Sequence, residues 1–107
     1  MATRKYRNFR EVEEDYFRKH PNEIDAYLTE VFDEFAQDGN TSVLLSSLRV
    51  VSRVKGISAI ARETGITRNG IQKALSEDGN PKLENLNAIM HAMGYRLAPQ
   101  KLEHPQG

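Results

Sequence analysis

The sequence lacks cysteine altogether, and its 107 residues contain no long apolar run. Without cysteine, neither a disulfide framework nor a thiolate metal site can form. No stretch approaches the roughly 20 apolar residues of a membrane-spanning helix, and the basic start of the chain lacks the apolar core of a secretion signal. These absences predict a soluble cytoplasmic protein without a metal or other cofactor, and the length predicts one domain.

The formal net charge is zero, but the charges are distributed unevenly along the chain. Residues 1–10 carry four bases and no acid, whereas residues 11–38 carry ten acids against two bases. Residues 41–76 then carry six bases against one acid. A basic segment is suited to contact phosphate, and an acidic segment is repelled by it. Solvated helix faces explain such runs equally well when charge is the only evidence.

Apolar side chains recur at helical spacing, which predicts an all-α fold. A short helix is predicted over Phe9–Lys19, with Phe9, Val12, Tyr16 and Phe17 near one face, and the following proline ends it. Later helices each begin at a polar capping residue and end at glycine or a polar loop. The predicted caps are Asn22, Thr41, Ser58 and Thr67. A last helix is predicted over residues 83–93, and a short strand is an option for residues 95–97.

This pattern divides the chain into three parts. Residues 1–20 are predicted to be a basic, flexible segment that includes the short helix, since most of the first ten residues are polar or charged and show no apolar period. Residues 21–97 are predicted to form a compact five-helix domain, which includes the acidic N-terminal helix. Residues 98–107 are predicted to be a flexible tail.

Three residues indicate a helix-turn-helix within residues 58–76. In this motif two short helices meet at a steep angle through a tight turn. Ala61 is small where the second helix would cross the first, Gly65 suits the left-handed turn, and Ile71 returns an apolar side chain to the core. Short helix pairs with a glycine turn also occur as plain packing units, so the spacing alone does not prove DNA binding.

With those residues inward, the outer face of the second helix carries side chains that suit base recognition. Arginine and lysine pair with guanine, and asparagine and glutamine pair with adenine. The candidate base-reading residues are Thr67, Arg68, Asn69, Gln72 and Lys73. The candidate phosphate contacts are Ser58, Asn80 and Lys82, with Arg53 and Lys55 as weaker ones. An ordinary solvated helix also turns polar residues outward, but this face carries no carboxylate.

The segments IARETG, KALSEDGNP and AMGYRL resemble the Cro/lambda-repressor (Xre) class of helix-turn-helix domains. More narrowly, about residues 24–97 resemble the addiction-module antidote proteins, which are antitoxins of the HigA kind. The resemblance implies a lambda-repressor-like fold and a homodimer that binds double-stranded operator DNA and represses its own operon. It also implies a partner protein, a RelE- or ParE-like toxin. The serine-rich NTSVLLSSLRVVSRVKG and the Ile71-Gln72 pair depart from the expected pattern.

The same residues bear on three other possible functions. The three histidines are isolated and no phosphate-binding glycine loop is present, so we expect neither catalytic nor metal-binding residues. An interaction protein is the second hypothesis, because Tyr27, Leu28, Val31 and Phe35 form an apolar stripe bordered by acids that would suit a basic toxin. Packing into the core is the better explanation of these side chains, and the acids could still face a partner. A solo phage-like or chromosomal repressor without a toxin is the third.

Overall fold

The computed structural model describes residues 8–103. This part contains six α-helices and no strand. The helices are α1 (Phe9–Lys19), α2 (Ile24–Asp38), α3 (Thr41–Lys55), α4 (Ile57–Thr64), α5 (Arg68–Ala74) and α6 (Leu83–Ala92). The all-α prediction is therefore confirmed. The expectations for the basic residues 1–7 and for the end of the tail, residues 104–107, lie outside the described residues.

Helix α3 forms the centre of the core. Leu48 and Val51 have no exposed surface, and α1, α2 and α4 all pack against this helix. Ile71 from α5 and Ile89 from α6 are equally buried, so the short C-terminal helices share one core with the long ones. Burying a side chain of this size contributes about 1.5–3 kcal/mol, and this core is what positions the outer face of α5.

Six helices stand where a five-helix domain was expected, and the additional one is α1. Phe17 is buried in the common core, while Phe9, Val12 and Tyr16 are exposed, so the predicted apolar face of α1 is only partly used. Two buried serines explain how α1 lies close to α3. Arg10 of α1 donates hydrogen bonds to the hydroxyls of Ser46 at 2.6 Å and Ser47 at 3.3 Å. The serines that depart from the family pattern therefore form part of the packing between α1 and α3.

Three of the four predicted caps are wrong. A turn of 3-10 helix over Pro21–Glu23 precedes α2, so Asn22 does not cap it. Helix α3 is capped by Asn40, whose side-chain oxygen accepts from the backbone N–H of Val43 at 3.2 Å. Helix α4 begins at Ile57, directly after Gly56, which places Ser58 inside its first turn. Thr67 is confirmed as the cap of α5, since its hydroxyl accepts from the N–H of Gly70 at 3.0 Å.

The two loops after α5 are held by specific contacts. A Cβ added at Gly79 would clash with the carbonyl oxygen of Ala74, so only glycine allows this loop to lie against the end of α5. After α6, residues 95–97 form no strand. Instead Tyr95 donates a 2.6 Å hydrogen bond to the Asp25 carboxylate of α2, and Leu97 packs against the core. Burial and this bond raise the pKa of Tyr95.

Candidate nucleic-acid interface

Helices α4 and α5 are joined by a three-residue turn. Gly65 ends α4 with φ 78° and ψ 3°, the left-handed conformation that glycine adopts without steric cost. The turn is closed by the Thr64 hydroxyl, which accepts from the N–H of Ile66 at 3.1 Å. Thr67 then caps α5. The turn that the sequence predicted from Gly65 and Thr67 is present in the structure.

The inward side chains of this helix pair hold α5 against the rest of the molecule. Ile71 is fully buried, Ile60 is 2% exposed, and Ala61 packs against the core as a partly buried residue. Leu75, directly after α5, is also fully buried. The structure therefore places Ala61 and Ile71 inward, as the spacing predicted, and Gly65 at the turn between them.

The outer face of α5 carries four of the five candidate base-reading residues in exposed positions. These are Thr67, Arg68, Asn69 and Lys73. The fifth, Gln72, is half-buried, and its side-chain oxygen accepts a 2.9 Å hydrogen bond from Arg53 of α3. The helix itself contains two cations and no acid. Its outer face therefore combines positive charge with amide groups, the chemistry that base edges and phosphates require.

Two grooves flank this face, and the candidate phosphate contacts Ser58, Asn80 and Lys82 line them. The first is lined by Glu14, Arg18, Arg53, Gly56, Ile57, Ser58, Arg68 and Gln72. The second is lined by Gly70, Lys73, Ala74, Ser76, Asp78, Gly79, Asn80, Pro81, Lys82 and Asn85. The candidate phosphate contacts therefore lie on both sides of α5, with Ser58 on one side and Asn80 and Lys82 on the other. Lys55 lies elsewhere, with its ammonium 5.2 Å from the centre of the Tyr95 ring.

Glu14 is a residue of this region that the sequence reasoning did not single out. Its side chain is 10% exposed and forms ion pairs with Arg53 at 3.7 Å and Arg18 at 3.4 Å. Arg53 in turn donates to Gln72, so a chain of polar contacts runs from α1 through α3 to α5. The spacing of Glu14 and Arg18, four residues apart on a helix, was the available signal. The contact with Arg53 depends on how α1 packs against α3.

The acidic helix α2 presents a different surface. Leu28 and Val31 are buried, and Tyr27 and Phe35 pack against the core, so the apolar stripe of α2 serves as core. Six acids of residues 23–38 are nevertheless exposed, with no lysine or arginine among them. They are Glu23, Asp25, Glu30, Asp33, Glu34 and Asp38. We call these six residues the acidic face.

Within the described residues, no group of three or more histidine, aspartate or glutamate side chains is arranged to hold a metal ion. In the same part of the chain, no helix is both long enough and apolar enough to cross a membrane.

The comparisons with known proteins agree with the resemblance to addiction-module antidote proteins. A family model described as "Probable addiction module antidote protein" matches residues 9–101. An uncharacterized protein of Haemophilus influenzae is 37% identical over 79 residues, which are 74% of this chain and 77% of the relative. No solved structure matches the chain significantly. The family match runs through all six helices, including α1, and the chain belongs to the addiction-module antidote family.

Proposed function

We propose that this protein binds double-stranded operator DNA through α4 and α5, which act as a helix-turn-helix, and represses its own operon. The observation that carries the proposal is the outer face of α5, where Arg68, Asn69 and Lys73 are exposed and no acid is present. In helix-turn-helix proteins the second helix lies in the major groove and reads base edges.

Phosphate contacts on either side would fix α5 in the groove. On one side α4 begins without a side-chain cap, so the N–H groups of its first turn, near Ser58, are available to a phosphate. On the other side Asn80 and Lys82 lie beside Lys73. Contacts to the backbone supply affinity and orientation, while contacts to bases supply sequence preference.

We further propose that the protein is the antitoxin of a toxin–antitoxin module and neutralises a RelE- or ParE-like toxin in the cytoplasm. Membership of the antidote family supports this function. The acidic face supplies a surface of suitable charge, because a nuclease that grips RNA is basic. The DNA-binding role and the toxin-binding role would then use differently charged surfaces of one small protein.

A footprint on the DNA that precedes its own gene tests the proposed repression. A homodimer should protect two half-sites whose centres lie about 34 Å apart, one helical turn of DNA. Protection of a single unrepeated site would show that the protein binds as a monomer. An absence of any protected sequence, at a salt concentration where the protein is folded, would contradict DNA binding itself.

Reversing charges on the acidic face tests the second role. The triple substitution Glu30→Lys, Asp33→Lys and Glu34→Lys should weaken binding to the product of the neighbouring toxin gene by about tenfold or more, since like charges across an interface repel. The measurement is the Kd of the purified pair, by calorimetry, at two salt concentrations. All three carboxylates are exposed, so the fold should be retained.

A matched control reverses three exposed acids elsewhere, Glu77, Glu84 and Glu103, and changes the net charge by the same amount. It should leave toxin binding close to that of the unchanged protein. Equal losses in both triple variants would mean that net charge, and not the acidic face, governs binding. Unchanged binding in the first variant would place the toxin on another surface.

A further inference from the structure

Gln72 is a candidate base-reading residue whose side chain is hydrogen-bonded to a residue of another helix. Its Oε1 accepts a 2.9 Å hydrogen bond from Nη2 of Arg53, and Arg53 is itself paired with Glu14 at 3.7 Å. A hydrogen bond from a charged donor is roughly twice as strong as one between neutral groups. The Gln72 side chain is therefore held in one orientation before any DNA arrives.

The chemistry of arginine decides which end of the amide faces it. A guanidinium has five N–H donors and no acceptor, so only the amide oxygen, never the amide nitrogen, can bond to it. The NH₂ group of Gln72 is consequently the end that points away from Arg53. To read adenine, a glutamine must donate to N7 and also accept from the N6 amino group. The contact with Arg53 uses one of the two lone pairs of this oxygen and holds the oxygen towards the guanidinium, so the NH₂ group is the end left to face a base.

The surrounding groove adds further donors. Arg53 and Arg68 line it together with Gln72, and neither guanidinium can accept a hydrogen bond. The carboxylate that also lines the groove, Glu14, is paired with Arg18 and Arg53. Guanine presents two acceptors, O6 and N7, in the major groove, whereas adenine and cytosine each present an amino group. We infer that Arg53 orients Gln72 so that α5 reads guanine, and not adenine, at the base pair that faces this side chain. The inference rests on the DNA binding proposed above.

Glu14 of α1 holds Arg53 in place beside Gln72. Its carboxylate lies 3.7 Å from Nη1 of Arg53, so the cation is held beside Gln72 and its charge is partly balanced. Arg53 and Glu14 are therefore positioning residues in this scheme, while Gln72 makes the contact with the base.

The test is selection of a random double-stranded DNA library by the full-length protein and its variants. The unchanged protein should enrich guanine at the base pair whose preference is lost in Gln72→Ala. Arg53→Met keeps a long unbranched side chain but removes the donors. The Gln72 amide can then turn its oxygen towards the base, so this variant should enrich adenine at that pair. We expect the ratio of adenine to guanine affinity to shift by about tenfold, the effect of one good base contact. Preferences at the other base pairs should stay the same.

Two variants complete the design. Arg53→Lys should retain the preference for guanine, because an ammonium group also donates hydrogen bonds and cannot accept them. If Arg53→Met does not fold, judged by circular dichroism, Glu14→Gln replaces it and should weaken the guanine preference. Adenine at this pair in the unchanged protein, or the same guanine preference in Arg53→Met, would overturn the inference. If the unchanged protein enriches no sequence at all, the result contradicts the proposed sequence-specific DNA binding itself. That outcome is distinguishable from a wrong base preference at one pair.

Discussion

Replacing Arg68 and Lys73 with alanine is expected to abolish specific operator binding and to leave the fold intact. Both side chains are exposed on α5, and neither forms an ion pair or side-chain hydrogen bond with another described residue. Each good contact with a base contributes about 1–3 kcal/mol, so each single change should weaken binding by about tenfold to a hundredfold. The double variant should then bind only as weakly as the protein binds unrelated DNA.

Binding is measured by fluorescence anisotropy on the footprinted operator at fixed salt, together with helicity and Tm. Lys101→Ala is the matched control, because it removes an exposed cation from the C-terminal segment and should bind normally. A side chain that contacts phosphate, and not a base, would reveal itself by lowering the salt dependence of log K by about one unit. Unaltered DNA affinity in both single variants would show that α5 is not part of the DNA-binding interface.

Ile71→Ala is expected to cause a large loss of stability. The side chain is fully buried where α5 meets the core, so its truncation leaves a cavity as well as removing apolar contacts. Such changes cost about 2–5 kcal/mol, a large share of the roughly 5–15 kcal/mol by which a domain is stable. The Tm should fall by about 10 °C or more. Thermal and urea unfolding followed by circular dichroism measure both quantities.

Leu83→Ala is the control for this prediction. It removes a side chain of the same size from the start of α6, where Leu83 is 74% exposed, so stability should change by no more than about 0.5 kcal/mol. If Ile71→Ala were as stable as Leu83→Ala, α5 would not be anchored through Ile71. The inward orientation of this residue, and with it the outward orientation of Arg68 and Lys73, would then be wrong.

Much of the candidate interface was predictable because its signals are local. A left-handed turn at Gly65, a hydroxyl cap at Thr67 and a buried position at Ile71 each follow from residues within one or two helical turns. The side chains between the inward positions then have to face outward on a helix of fixed period. This is why Arg68, Asn69 and Lys73 were correctly expected to be exposed before their surroundings were known.

The boundaries of the helices were less predictable. At Gly56 a single residue ends α3 and begins α4, so no separate capping residue is needed and Ser58 lies inside the helix. Asn40 and Thr41 are both good caps, and their local sequence does not decide between them. The 3-10 turn at Pro21–Glu23 depends on how the chain passes from α1 to α2. Such choices are made by packing, since the caps differ by only about a kcal/mol.

By itself the sequence determined the all-α fold, the turn at Gly65 and the exposed cations of α5, because each follows from residues that are close along the chain. The tertiary structure alone decided that α1 packs on the serines of α3, and that Glu14, Arg53 and Gln72 meet. These three residues lie on three helices and are separated by 39 and 19 positions. No local rule relates them, so only the tertiary packing of the helices brings a carboxylate, a guanidinium and an amide into contact.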